Sequence, residues 1–152
     1  MIAAICRAIY SLFYRPNRLQ VAALCWRETN KGLQILLIRS LDSNRWIIPK
    51  GWPMRGKTLA QAAEIEAWEE AGVRGEIAPE PIGSFHYKKR RVTGLQQSCT
   101  VHVFALHVTD RQDDFPESDL RKSKWMSKAD AISRLREPEL KAILETHFDK
   151  AP

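Results

Sequence analysis

The sequence predicts an α/β (α+β) fold in which a mixed β-sheet is sandwiched by helices. Strand and helix patterns interleave along the chain without a strict βαβ rhythm, which argues against an all-parallel sheet. One helical segment carries a start signal and a stop signal, Thr58 and Gly72, and a glycine-rich loop leads into it. At 152 residues the chain is the size of one ordinary domain, with no repeat and no linker long enough to divide it. Its 44% hydrophobic and 28% charged residues are a globular balance, which excludes a disordered chain.

The elements follow in order. Leu19 to Arg27 (LQVAALCWR) is the first strand, Asn30–Lys31–Gly32 a turn, and Leu33 to Arg39 (LQILLIR) the second strand of a hairpin. Trp46, Ile47 and Ile48 form a short extended stretch ending at Pro49. The loop from Lys50 to Lys57 contains Gly51, Pro53 and Gly56 and is expected to have little regular structure. Thr58 is an N-cap, with Gln61 three residues on to complete a capping box. The helix runs to about Ala71, and Gly72 ends it in the left-handed conformation. Strands follow near Val73–Ile77, Ile82–Tyr87, Thr100–Val108 and Lys124–Met126, then helices over Lys128–Leu135 and Pro138–Phe148.

Residues 1–16 are set apart as an N-terminal amphipathic segment, and residues 17–150 are expected to form a single domain. In the leader, Ile2, Ile5, Ile9, Leu12 and Phe13 recur at helical spacing, suited to packing on the domain or on a second copy. It resembles a signal peptide only loosely, since Arg7 interrupts it and no small-residue cleavage site follows. It is too short for a membrane span. Cys6, Cys25 and Cys99 have no CxxC spacing, which argues against a disulfide framework or zinc site and for a reducing, cytoplasmic location. The net charge of +6 suits an anionic partner, but no helix-turn-helix, RNA-recognition or zinc-finger pattern supports specific nucleic-acid binding. Monomer and homodimer both remain open.

The chemistry is concentrated in PKGWPMRGKTLAQAAEIEAWEEAGV, Pro49 to Val73. Glu66, Glu69 and Glu70 stand at i, i+3 and i+4, so they leave the helix on one face. Like charges at that spacing repel, and the C-terminal half of a helix disfavours negative charge. A hard divalent cation such as Mg²⁺ (Mn²⁺ as a substitute) prefers oxygen ligands and relieves the repulsion. Leu59, Ala62, Ala63, Ala67 and Ala71 lie on another side, and small residues there allow a close approach to a sheet.

The loop and helix together resemble the Nudix hydrolase signature. Gly51, Glu66, Ala67, Glu69, Glu70, Gly72 and Val73 stand at the offsets that signature requires. Lys57 and Ile65 depart from it, standing where the family usually has Glu and Arg. The resemblance implies a Nudix-type α/β/α sandwich and a pyrophosphatase acting on phosphoanhydride bonds. It implies Glu66, Glu69 and Glu70 as catalytic, metal-binding carboxylates, with the Lys50 carbonyl as a further ligand. Glu66 or Glu70 is the expected general base. Glu117, in Phe115–Pro116–Glu117, is a candidate additional carboxylate.

From about Arg18 to Phe148 the order of elements is similar to the small diphosphoinositol polyphosphate phosphohydrolases. Asn44 to Pro49 and Lys124–Trp125–Met126–Ser127 carry that likeness. Candidate phosphate-binding cations are Arg39, Arg45, Lys50, Arg55, Lys57 and the run Lys88, Lys89, Arg90 and Arg91. A diphosphoinositol polyphosphate and a dinucleoside polyphosphate, such as a diadenosine polyphosphate, both fit. Trp46, Trp52 and Tyr87 are aromatics that could stack on a base. The alternative is a non-catalytic Nudix-like nucleotide- or polyphosphate-binding module, suggested by the substitutions at Lys57 and Ile65. His86, His102 and His107 have no ligand spacing.

Overall fold

A computed structural model of the chain describes residues 17–149, together with Ile2 and Ile5. The amphipathic leader expected over residues 1–16 otherwise lies outside the described residues. Two strands open the domain, β1 (Arg18–Thr29) and β2 (Gly32–Arg39), followed by the two-residue β3 (Trp46–Ile47) and β4 (Lys50–Gly51). Helix α1 (Leu59–Ala71) comes next, then β5 (Val73–Ile77), β6 (Gly83–Arg90), β7 (Gln96–Arg111) and β8 (Ser123–Ser127). Helices α2 (Lys128–Arg134) and α3 (Pro138–Phe148) close it.

The strands form one mixed sheet in the order β3-β2-β1-β7-β5, with β8 on β2, β6 on β7 and β4 on β1. The long β1 and β7 run parallel from Arg18 and Cys99 to Trp26 and His107; the other pairs are antiparallel. β1 and β2 pair only near their turn, from Trp26 with Ile35 to Thr29 with Gly32. Beyond it they part. β3 then pairs with β2 at Ile38 and Arg39, while β4 pairs with β1 at Val21 and Ala22. The segment from Trp46 to Gly51 therefore fills the opening between the two strands.

That pairing corrects the expected irregular loop over Lys50 to Lys57, which begins as a strand. The backbone groups of β1 exposed by the parting of β2 need partners, and the chain beside them supplies these. Ala23 also donates its N–H to the Pro49 carbonyl at 3.0 Å. A second correction concerns the basic run. Lys88, Lys89 and Arg90 belong to β6, which reaches Arg90 because β7 starts at Gln96 and supplies partners as far as the hairpin end.

Alternation along the central strands divides the core in two, as side chains of period two must. Val21, Ala23, Cys25, Leu36, Ile38, Phe104 and Leu106 face α1; Ala22, Leu24, Ile35, Leu37, Val101 and Val103 face α2 and α3. On α1 the buried residues are Ala60, Ala62, Ala63, Ala67, Ala71 and, unusually for a carboxylate, Glu70. Methyl side chains bring the helix close to the sheet, and that closeness carries its glutamates to β4.

Both ends of α1 follow the sequence expectation. The Thr58 hydroxyl accepts from the Gln61 N–H at 3.1 Å, and the Gln61 side chain accepts from the Thr58 N–H at 2.9 Å. Gly72 has φ 68, and a Cβ there would meet the Phe115 ring at 2.4 Å and the Gln112 carbonyl at 2.5 Å. Gly72→Ala is expected to lower the unfolding free energy by about 1–2 kcal/mol from the left-handed backbone, and by more from the clash. Urea denaturation reads this out, and an unshifted midpoint would refute it.

Candidate active site

Gly51 lies directly against the Glu66 carboxylate. A Cβ on Gly51 would lie 2.0 Å from Glu66 Oε1, so this position must be glycine for the carboxylate to sit where it does. Glu70 lies one turn further on and is buried. Its Oε2 accepts from the Lys50 backbone N–H at 3.3 Å, and its Oε1 lies 3.3 Å from Arg121 Nη2. β4, pinned to β1, thus presents its backbone to two carboxylates of α1.

The segment between β7 and β8 closes the site from the far end of the helix. Gln112 donates its N–H to the Gly72 carbonyl at 2.9 Å, and Glu117 donates its N–H to the Glu69 carbonyl at 3.0 Å. Glu117 is thereby held beside the helix carboxylates, with its Oε1 3.5 Å from Arg121 Nη2. Arg121 also donates from Nη1 to the Arg39 carbonyl at 3.0 Å. Its side chain is 11% exposed, and its Nε is buried without a hydrogen-bond partner.

The electrostatics follow from this crowding. Glu66 is pushed up to about 8, first by burial and then by the charges of Glu70, Glu69 and Glu117 and a hydrogen bond shared with Glu70. Glu70 is pushed up to about 7 by burial, opposed by Arg121 and Lys50. Burial lowers the Lys50 ammonium, with Glu70 acting against the shift. Two carboxylates that tend to hold a proton near neutrality are a donor set that a cation would replace that proton on. The oxygen-only chemistry therefore fits a hard divalent metal. Glu70 is turned to Arg121 and the Lys50 amide, however, and among the described residues no three His, Cys, Asp or Glu side chains converge at ligand distance.

A cleft of about 310 Å³ opens above this floor, lined in part by Gln20, Asp42, Lys50, Gly51, Trp52, Glu66, Glu70, Lys89 and Arg121. A neighbouring cleft of about 400 Å³ is lined by Arg45, Lys50, Tyr87, Lys88, Lys89, Arg90 and Arg91 among others. Lys50 and Lys89 belong to both. Of the candidate cations, six therefore meet a cleft. Arg45 is shared with Glu137 at 3.6 Å.

The other three stand elsewhere. Arg39 donates to the Asn44 carbonyl and lies over Trp46 at 4.4 Å, so its guanidinium is engaged within the fold. Arg55 and Lys57 are exposed on the loop before α1 and line neither cleft, because that loop leaves the sheet after Gly51. Glu69 also lies outside the cleft lining. Sequence reasoning missed Arg121, Gln20 and Asp42. Arg121 sits in no recognisable spacing, and only the pairing of β8 with β2 brings it under the helix.

His86 bonds Glu139, and His107 stacks on Trp26 with ring centroids 4.3 Å apart; both are structural. Cys25 and Cys99 are free thiols, both buried.

Comparison with known proteins adds a lineage to this geometry. The NUDIX domain family matches residues 16–146. The chain is 32% identical over 126 residues to Nudix hydrolase 16, mitochondrial, of Arabidopsis thaliana, covering 81% of this chain and 69% of that protein. It is 30% identical over 135 residues to diphosphoinositol polyphosphate phosphohydrolase 3-alpha of Mus musculus, covering 86% of this chain and 78% of that one. It spans 44% to 58% of the length of further Arabidopsis Nudix hydrolases that it matches. Among solved structures, a C. elegans Ap4A hydrolase superposes with a TM-score of 0.61 at 21% identity, over 88% of this chain and 97% of that one.

The raised carboxylates fix the direction of a pH effect. An acid whose folded pKa lies above its unfolded value contributes stability below the unfolded pKa and loses it as pH rises through the folded one. Glu66 and Glu70 should therefore make the metal-free protein melt at a progressively lower temperature from about pH 5 to pH 8. Glu66→Gln should flatten that slope in thermal melts recorded with chelator. An unchanged slope in the variant would show that the crowding at Glu66 is relieved in solution.

Proposed function

Because this chain belongs to the NUDIX domain family, we propose that it is a Mg²⁺-dependent hydrolase. Its substrate would be a highly anionic molecule, such as a diphosphoinositol polyphosphate or a dinucleoside polyphosphate, cleaved at a diphosphate linkage. The observation that supports this most is charge arrangement: a floor of crowded carboxylates meets walls carrying Lys50, Lys89, Arg45, Lys88, Arg90 and Arg91. A binding module needs only the walls. The repelling carboxylates on the floor, costly to fold, gain a purpose in hydrolysis.

Glu66, Glu69, Glu70 and the Lys50 carbonyl would hold the metal, with Glu117 beside them. When bound, the cation supplies Lewis-acid stabilisation of phosphate charge and lowers the pKa of water. The chain's own groups do the rest. Lys50 and Lys89 neutralise phosphate oxygens along the cleft and orient the diphosphate over the carboxylates. Arg121 and the Lys50 N–H favour the ionised form of Glu70, which makes it the group to take the proton from the attacking water at its carboxylate oxygen. Arg121 also holds Glu117 in place, the kind of orientation that Ile65 cannot give.

Residence in a reducing, cytoplasmic compartment belongs to the same reading, supported by the free thiols of Cys25 and Cys99. The domain itself is taken as residues 17–150. No helix among the described residues is long and apolar enough to cross a membrane.

Turnover of diadenosine polyphosphates, inositol pyrophosphates, ADP-ribose and nucleoside triphosphates with Mg²⁺ or Mn²⁺ tests the proposal. At least one class should be cleaved, and Glu70→Gln should lose at least about 100-fold in kcat. Metal binding without turnover of any of them would establish the binding-module alternative instead.

A further inference from the structure

Trp52 follows Gly51 and lines the cleft with Glu66 and Lys89. Two cations lie over its indole: the Arg18 guanidinium carbon at 4.4 Å from the ring centroid and Lys89 Nζ at 5.1 Å. They come from segments far apart in the sequence, the first residue of β1 and the outer half of β6.

Cations over aromatic rings recur in this fold, so the contact alone decides nothing. Two of the other cations have a second anchor: Arg39 over Trp46 donates to Asn44, and Arg27 over Trp125 donates to Gln34. Trp52 differs from the remaining rings in lining the cleft beside Glu66 while carrying two cations. Among the described residues no carboxylate forms an ion pair with Arg18 or Lys89. Two like charges gathered on one ring repel, and a surface without a ligand would let both side chains spread into water. The negative face of the indole offsets the repulsion and keeps them together. A ring that carries cations offers those cations to a ligand, so the matching chemistry is phosphate rather than a nucleobase.

We propose that Trp52 is a positioning residue for substrate selection: its indole, which lines the cleft, holds Lys89 and the neighbouring Arg18 together beside it, where they bind phosphates beyond the diphosphate being cleaved. The inference rests on the hydrolase reading for its role in turnover, though not for the binding it asserts. The selected substrates carry additional phosphate groups adjoining the scissile pair.

The test compares inorganic tripolyphosphate with inorganic diphosphate by titration calorimetry in metal-free buffer at several salt concentrations. Trp52→Leu should weaken tripolyphosphate binding by about tenfold and diphosphate binding by less than about threefold, with a shallower salt dependence for tripolyphosphate. Trp52→Phe, which keeps a π face, should recover most of the loss. Arg18→Gln combined with Lys89→Gln should reproduce the Leu pattern in a protein whose ring is intact. Equal weakening of both ligands, no weakening, or no recovery with Phe would overturn the proposal. A wild type that hydrolyses nothing would defeat the hydrolase reading, while these titrations would still decide the role of Trp52.

Discussion

The close approach of α1 to the sheet governs the rest of this structure. An alanine-rich face lets the helix backbone settle onto Val21, Ala23 and Cys25, and the absence of a side chain at Gly51 lets the Glu66 carboxylate fill the space where a Cβ would be. Neither feature suffices alone. Larger residues on the helix face would lift the glutamates away from β4, and any side chain on Gly51 would expel Glu66 from its position. The opening between β1 and β2 matters for the same reason, since it admits β4 beside β1 and sets its backbone under the carboxylates.

Such proximity creates an electrostatic problem that Arg121 moderates. Glu69, Glu70 and Glu117 all act on Glu66, Glu117 acts on Glu70 as well, and burial strengthens the repulsion by removing water. Arg121 reaches Glu70, Glu117 and the Arg39 carbonyl at once. It therefore joins the end of β2, the helix and the loop before β8 into one unit. Its Nε, buried without a partner, leaves one donor of that guanidinium unsatisfied, an arrangement folded proteins usually avoid. The arginine that the family signature places within the helix is Ile65 here, and the cation that meets these carboxylates comes from a different element.

Much of this was legible in the sequence because it is local. The capping box at Thr58 and Gln61, the left-handed Gly72, the alanine face and the spacing of Glu66, Glu69 and Glu70 are set within a few residues of chain. Short apolar runs marked β1, β2 and β7 for the same reason. The missed features are those created by pairing between distant segments. β4 is a strand only because β2 leaves β1 early, and β6 extends through Lys88 to Arg90 only because β7 lies opposite. Arg121 gains its meaning from the register of β8 on β2. Arg39 reads as a free phosphate ligand in sequence, yet Trp46 and the Asn44 carbonyl, brought in by the following turn, occupy it.

Apart from the Arg121–Glu70 pair, the cleft keeps its lysines near the carboxylates without an ion pair, and the aromatic rings explain how. Lys50 has Glu70 within electrostatic reach, yet its ammonium lies over the Tyr87 ring at 4.9 Å. Tyr87 is fixed in turn by its hydroxyl, which donates to Gln20 on β1. Lys89 is held over Trp52 in the same manner. Had either lysine closed onto Glu66 or Glu70, its charge would have been engaged in an ion pair, as that of Arg121 is with Glu70. A ring face attracts a cation without a full counter-charge, so it can hold a lysine at a chosen place and leave its charge available. Gln20, Trp52 and Tyr87 therefore act as spacers between the carboxylate floor and the basic walls. In the proposed hydrolase, the separation they maintain would let one cleft receive a metal and a phosphate chain together.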